Sequence, residues 1–120
     1  MPRILVIDDA KTMRDALKDL LIPAGFEVVE AENGEQGLER MGQHPIDLVI
    51  SDLNMPGMDG LTMCKHIKEQ GYQTPIFMLT TQTSPELKAR AKEHGVVAWI
   101  VKPHKDEILL GGIRKVLKLS

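Results

Sequence analysis

The sequence predicts an α/β fold in which five parallel strands form a doubly wound sheet with helices on both faces. Short apolar runs rich in Val and Ile recur along the 120 residues, and stretches with helical spacing of apolar side chains separate them. The two kinds of segment alternate throughout, which implies parallel pairing through right-handed crossovers. Three of the runs are almost wholly apolar, as strands covered on both faces are.

The first strand is read at Arg3–Ile7. Met13, Leu17, Leu20, Leu21 and Ala24 then fall on one helical face, with Pro23 and Gly25 ending the helix. Phe26–Val29 is the second strand. Asn33 followed by Gln36 is a capping arrangement for a second helix, which Gly34, Gly37 and Gly42 weaken. Ile46–Ile50 is the third strand, and Leu61, Cys64 and Ile67 line a third helix closed by Gly71. Pro75–Leu79 is the fourth strand. Ser84-Pro85-Glu86 opens the fourth helix with a cap, a proline at its first position and an acid at the positive end of the dipole, and Gly95 closes it. Val96–Val101 is the fifth strand. Leu109, Ile113, Val116 and Leu117 mark a fifth helix, and the same count places Leu110 on its outward side.

Composition narrows the function classes. Hydrophobic residues are 42% and charged residues 27% of the chain, an ordinary globular balance. One cysteine, Cys64, excludes an internal disulfide framework and a cysteine-rich zinc site. A net charge of −2 gives no case for nucleic acid. No apolar run is long enough to insert into a membrane and no signal peptide is visible, so a cytoplasmic location is expected. No linker or repeat divides residues 1–120, which read as one domain.

In open parallel sheets, ligands bind beyond the carboxyl ends of the strands. The first strand ends in Asp8-Asp9, the third in Ser51-Asp52, the fourth in Thr80-Thr81 and the fifth in Lys102-Pro103. Clustered carboxylates repel one another unless a cation lies among them, and an all-oxygen donor set favours a hard cation such as Mg²⁺. A cation, an ammonium and a hydroxyl around one carboxylate is the environment that a phosphoryl group on that carboxylate requires.

Asp8-Asp9, Asp52-Leu53-Asn54-Met55-Pro56-Gly57-Met58-Asp59-Gly60, Thr80 and Lys102-Pro103 together resemble the receiver domain of two-component response regulators, above all the single-domain chemotaxis type. The resemblance covers the whole chain. It implies a flavodoxin-like (βα)5 sheet of strand order 2-1-3-4-5. It also implies that Asp52 is the phosphoacceptor, and that Asp9, Asp52 and the backbone carbonyl of Asn54 ligate Mg²⁺, with Asp8 acting through water. Lys102, after which a cis peptide is implied, contacts the phosphoryl oxygens. Thr80 is the switch hydroxyl, Thr81 offers a backbone N–H to the phosphoryl group, and Trp99 takes the place of the switch aromatic. Trp99 is larger than the Tyr or Phe usual there, and Thr81 is bulkier than the usual Ala or Gly. Lys105 replaces a capping residue, so the fifth helix is expected to start weakly unless Asp106 takes over. His104 replaces a frequent Phe and reads as a partly exposed loop residue.

The function so implied is a signalling module, not a metabolic enzyme. It takes a phosphoryl group from a sensor histidine kinase, or from small donors, and later loses it by autodephosphorylation. It switches binding to a downstream protein, or homodimer formation, through the fourth helix, fifth strand and fifth helix. That face carries Trp99, Lys88, Arg90, Lys92, Ile108 and Leu110. Two other readings stand beside it. A haloacid-dehalogenase-like phosphatase also uses an aspartyl phosphate, but its D-x-D motif corresponds here to Asp52-Leu53-Asn54, which lacks the second acid. A receiver that binds its partner without phosphorylation would not need the complete acidic site.

Overall fold

Side chains along a β-strand point alternately to opposite faces, and here that alternation sorts the core into two layers. A computed structural model describes residues 1–119. The elements are β1 (Arg3–Ile7), α1 (Lys11–Leu21), β2 (Glu27–Ala31), α2 (Gly34–Gln43), β3 (Leu48–Ser51), α3 (Gly60–Glu69), β4 (Ile76–Thr80), α4 (Pro85–Glu93), β5 (Val96–Val101) and α5 (Asp106–Val116). Ile4, Val6, Leu48, Ile50, Phe77 and Leu79 face α1 and α5. Leu5, Ile7, Val49, Ile76 and Met78 face α2, α3 and α4. Both sides of the central strands are therefore dry, which explains their nearly unbroken apolar sequence.

All pairings are parallel and the order is β2-β1-β3-β4-β5, as the family resemblance implies. The strand bounds differ from expectation in ways the backbone explains. Phe26 is buried but belongs to the turn that ends α1: its N–H donates to the Leu21 carbonyl at 3.2 Å, after Gly25 takes a φ of +99°. Strand β2 then runs on to Ala31. Pro75 has no N–H for the ladder and stays outside β4, although its carbonyl accepts from Val49 at 3.0 Å.

The capping signals are realised. Asn33 Oδ1 accepts from the Gln36 N–H at 2.8 Å, and Gln36 Oε1 accepts from the Glu32 N–H at 2.9 Å. Ser84 Oγ accepts from the Leu87 N–H at the start of α4. Lys105 caps α5 with no side-chain bond, and Asp106 and Glu107 supply negative charge in its first turn instead.

Two expectations are corrected. The glycines of α2 do not simply weaken it: Gly34 and Gly37 are buried where the helix lies close to the sheet and the α3 side. A Cβ on Gly37 would stand 2.7 Å from Ile7 Cδ1, and one on Gly34 would stand 3.0 Å from Met58. Leu110 does not point outward; it is half-buried against the α1/α5 core, and Ile108, 64% exposed, is the outward apolar residue of α5. Cys64 is buried as expected, and burial pushes its thiol up to about 12. Among the described residues, no helix is long and apolar enough to cross a membrane.

The helical glycines make a paired test. Gly37→Ala should destabilise by about 1–3 kcal/mol through overpacking against Ile7. Gly42→Ala, whose Cβ meets nothing within 4 Å, should stabilise by about 0.5–1 kcal/mol through helix propensity. Urea titration of both variants measures the difference, and equal effects would contradict the close α2–sheet contact.

Candidate functional site

Because β1 and β3 are neighbours, with Ile7 opposite Ser51, their next residues meet at the carboxyl edge of the sheet. The Asp52 N–H donates to the Ile7 carbonyl at 3.0 Å, and the Asp8 N–H donates to the Ala31 carbonyl at 3.1 Å. Asp8 is buried, Asp52 is partly buried and Asp9 is exposed, and one carboxylate oxygen from each lies within 4.8 Å of the others. Asp8 Oδ1 accepts from the Ala10 N–H at 2.9 Å, and Asp52 Oδ1 accepts from the Leu53 N–H at 2.8 Å. Both carboxylates are thus oriented by the backbone that follows them.

Lys102 reaches this cluster from β5. Its Nζ lies 3.6 Å from Asp8 Oδ2 and 3.8 Å from Asp52 Oδ1. Its backbone N–H donates to the Thr80 carbonyl at 2.8 Å, and the following peptide to Pro103 is cis. Burial holds the Asp52 carboxyl above the ordinary aspartate value; Lys102 pulls it back, while the Asp8 charge adds to the rise. The donors are all oxygen, with neither His nor Cys in the cluster, so they fit a hard cation such as Mg²⁺ and not a thiophilic metal.

The loop after Asp52 is anchored by buried Leu53 and Met55 and turns at Gly57, whose φ is +77°. Asp59 is more than a turn residue, because its Oδ1 caps α3 by accepting from the Thr62 N–H at 2.7 Å. Gly60 is required by contact: a Cβ there would run into the Asp52 carbonyl oxygen. Asn54 and Thr81 stand exposed on the same rim.

Thr80 is fully buried, and its Oγ1 accepts from the Gln82 N–H at 3.1 Å. The Gln82 carbonyl in turn accepts from Trp99 Nε1 at 2.9 Å. One peptide segment therefore joins the buried hydroxyl to the indole ring, which packs on the α2–α4 side of the sheet. His104 is partly buried, with its Nε2 3.9 Å from Asp106.

The structure brings Asp8, Asp9, Asp52 and Lys102 together at one edge of the sheet; sequence reasoning gave no role to Arg14 and named Ser51 and Gly60 without finding their contacts. Arg14 is buried on α1, and its Nη1 donates to the Asp8 carbonyl at 2.7 Å. Its signal was spacing: it precedes Leu17 and Leu21 by the intervals of a buried helical face. Ser51 is buried and donates its hydroxyl to the Asp52 carbonyl at 2.8 Å.

Comparison with known proteins agrees with this geometry. Residues 4–114 match the family described as the response regulator receiver domain. The chemotaxis protein CheY of Bacillus subtilis is 43% identical over 96% of this chain and 97% of its own length. The transcriptional regulatory protein CpxR of Escherichia coli is 36% identical; the chain spans about half (51%) of that protein. Among solved structures, chemotaxis protein CheY4 of Vibrio cholerae superposes with a TM-score of 0.91 at 40% identity, over 97% of this chain and 98% of that one.

The raised Asp52 carboxyl has a consequence for stability. A carboxylate that holds its proton more tightly when folded adds stability at low pH and loses it as pH rises through its folded value. Asp52→Asn should therefore raise the melting temperature of the metal-free protein by a few degrees at pH 7, because it removes that penalty and the repulsion from Asp8. The gain should vanish below the ordinary aspartate value of 3.8. Calorimetric melting across pH measures it, and a variant less stable than wild type at pH 7 would contradict the unfavourable placement of the charge.

Proposed function

We propose that this chain, which belongs to the response regulator receiver family, accepts a phosphoryl group on Asp52 from a sensor histidine kinase and switches a binding surface in response. The observation that carries the reading is the meeting of Asp8, Asp9 and Asp52 at one edge of the sheet, with Lys102 Nζ beside two of them.

In the transfer, an Asp52 carboxylate oxygen attacks phosphorus and a P–O bond forms as the P–N bond to the donor imidazole breaks. The electron pair leaves with the imidazole. Asp9, Asp52 and the Asn54 carbonyl would hold Mg²⁺, with Asp8 acting through water. When bound, that ion supplies positive charge to the phosphoryl oxygens. Lys102 neutralises a further oxygen, and the Thr81 N–H donates to another. Hydrolysis later returns Asp52 to its free state, so the module is a timed switch and not a catalyst of metabolite turnover.

Thr80 is the hydroxyl that turns toward the new phosphoryl group. Doing so disturbs its bond with the Gln82 N–H, and Gln82 carries the hydrogen bond to Trp99. The output face is α4–β5–α5, where Lys88, Lys92, Val97 and Trp99 line a groove of about 560 Å³ and Ile108 stands exposed. A downstream protein, or a second copy of the chain, would dock there, and the likeness to chemotaxis proteins favours an output of that type. The absence of a membrane-crossing helix among the described residues is compatible with a cytoplasmic role.

Incubation with Mg²⁺ and acetyl phosphate, followed by intact-mass measurement, tests the reading. The wild type should gain one phosphoryl group that decays on standing, and Asp52→Asn should gain none. Steady phosphate release at high turnover would support a phosphatase instead, and no reaction would support a constitutive binder. Trp99 is the only tryptophan, so its emission or quencher access should change on phosphorylation of the wild type. A fully phosphorylated protein with unchanged emission would mean that the ring is static.

A further inference from the structure

We infer that Arg14 is a positioning residue that holds the β1–α1 turn in the shape needed for cation binding. The inference rests on the proposed role of the aspartate cluster and adds to it a residue outside that cluster. Arg14 lies on α1 with its side chain only 8% exposed. A buried guanidinium is expensive unless its donors are used, and here they are used in two directions. Nη1 donates to the Asp8 carbonyl at 2.7 Å, and Nε donates to Glu30 Oε1 at 3.2 Å. Glu32 at 3.8 Å and Lys18, whose Nζ lies 3.1 Å from Glu30 Oε2, complete the ion network.

The bond to Asp8 falls on the backbone and not on the carboxylate. Arg14 therefore fixes the peptide that links Asp8 to Asp9, leaving both carboxylates free to face the cleft. Asp8 is thereby held through both of its flanking peptides, since its N–H donates to the Ala31 carbonyl and its own carbonyl accepts from Arg14. Glu30 and Ala31 both lie at the end of β2, so the edge strand serves as the fixed point for the turn. A lysine has no planar fork to reach Asp8 and Glu30 at once.

Electrostatics and positioning predict opposite signs, which makes the inference decidable. If Arg14 acted only as a nearby positive charge, Arg14→Gln would tighten Mg²⁺ binding. If it positions the turn, Arg14→Gln should weaken Mg²⁺ binding about tenfold, as loss of an outer partner of a metal ligand does. Arg14→Lys should fall between, and Lys18→Gln, which thins the network without touching Asp8, should match wild type. The readouts are the Mg²⁺ dissociation constant by titration calorimetry and amide exchange at Ala10 in the metal-free protein, which should speed up in Arg14→Gln.

Unchanged or tighter Mg²⁺ binding by folded Arg14→Gln would overturn the inference, even if its melting temperature fell. If Arg14→Gln does not fold, Arg14→Lys decides by the same criterion, and binding equal to wild type overturns it. If wild type itself binds no Mg²⁺, the metal-binding reading fails. The Ala10 exchange rate then decides separately: faster exchange supports the positioning of the turn, and an unchanged rate refutes it.

Discussion

Crowding of like charge at one edge of the sheet is the constraint on which the rest of the molecule depends. Two acidic segments far apart in sequence, Asp8-Asp9 and Asp52, become neighbours only because β3 pairs with β1. Burial there holds the Asp52 carboxyl above its ordinary value, and the Asp8 charge adds to the rise. The surroundings offset it with Lys102, with N–H groups from Ala10 and Leu53, and with a backbone that leaves the carboxylates little freedom. A site of this kind stores an affinity for positive charge, and the two dry core layers keep it from relaxing by splaying the strands apart.

The two faces of the sheet are not equally committed. Leu17 and Leu21 of α1, and Leu109 and Ile113 of α5, are fully enclosed in one layer. On the other face α2 and α3 are held tightly, but α4 contributes only Ala91 as a buried side chain. The segment that joins Thr80 to Trp99 runs directly into this lightly anchored helix. With one buried side chain, α4 is the helix that the core holds least.

Much of this was legible in the chain because it is written in local chemistry. Ser84-Pro85-Glu86 and Asn33 with Gln36 specify helix starts through bonds within a few residues. The site acids were legible because strand ends converge in a parallel sheet. Features that depend on distant partners were not. Gly37 reads as a weak helix former until Ile7 is seen beneath it, and Gly60 is only the last residue of a loop motif until the Asp52 carbonyl is seen against it. The spacing of Arg14 marks a buried position, but its partners, a backbone carbonyl and the end of β2, are not legible in the sequence. Leu110 was misplaced by counting from its helix alone, since the α1/α5 core reaches around to cover part of it. Strand order was not derivable from periodicity and came only with the family resemblance.

The burial of Cys64 carries a practical consequence. With its thiol pushed up to about 12 and no exposed surface, the side chain holds almost no thiolate at neutral pH, which is the form that alkylating and oxidising reagents attack. Because it is the only cysteine, the native surface offers no thiol to such reagents. A cysteine introduced on the outer faces of α4 or α5 would be the sole reactive thiol, so a spectroscopic label could be attached there without altering the natural residue.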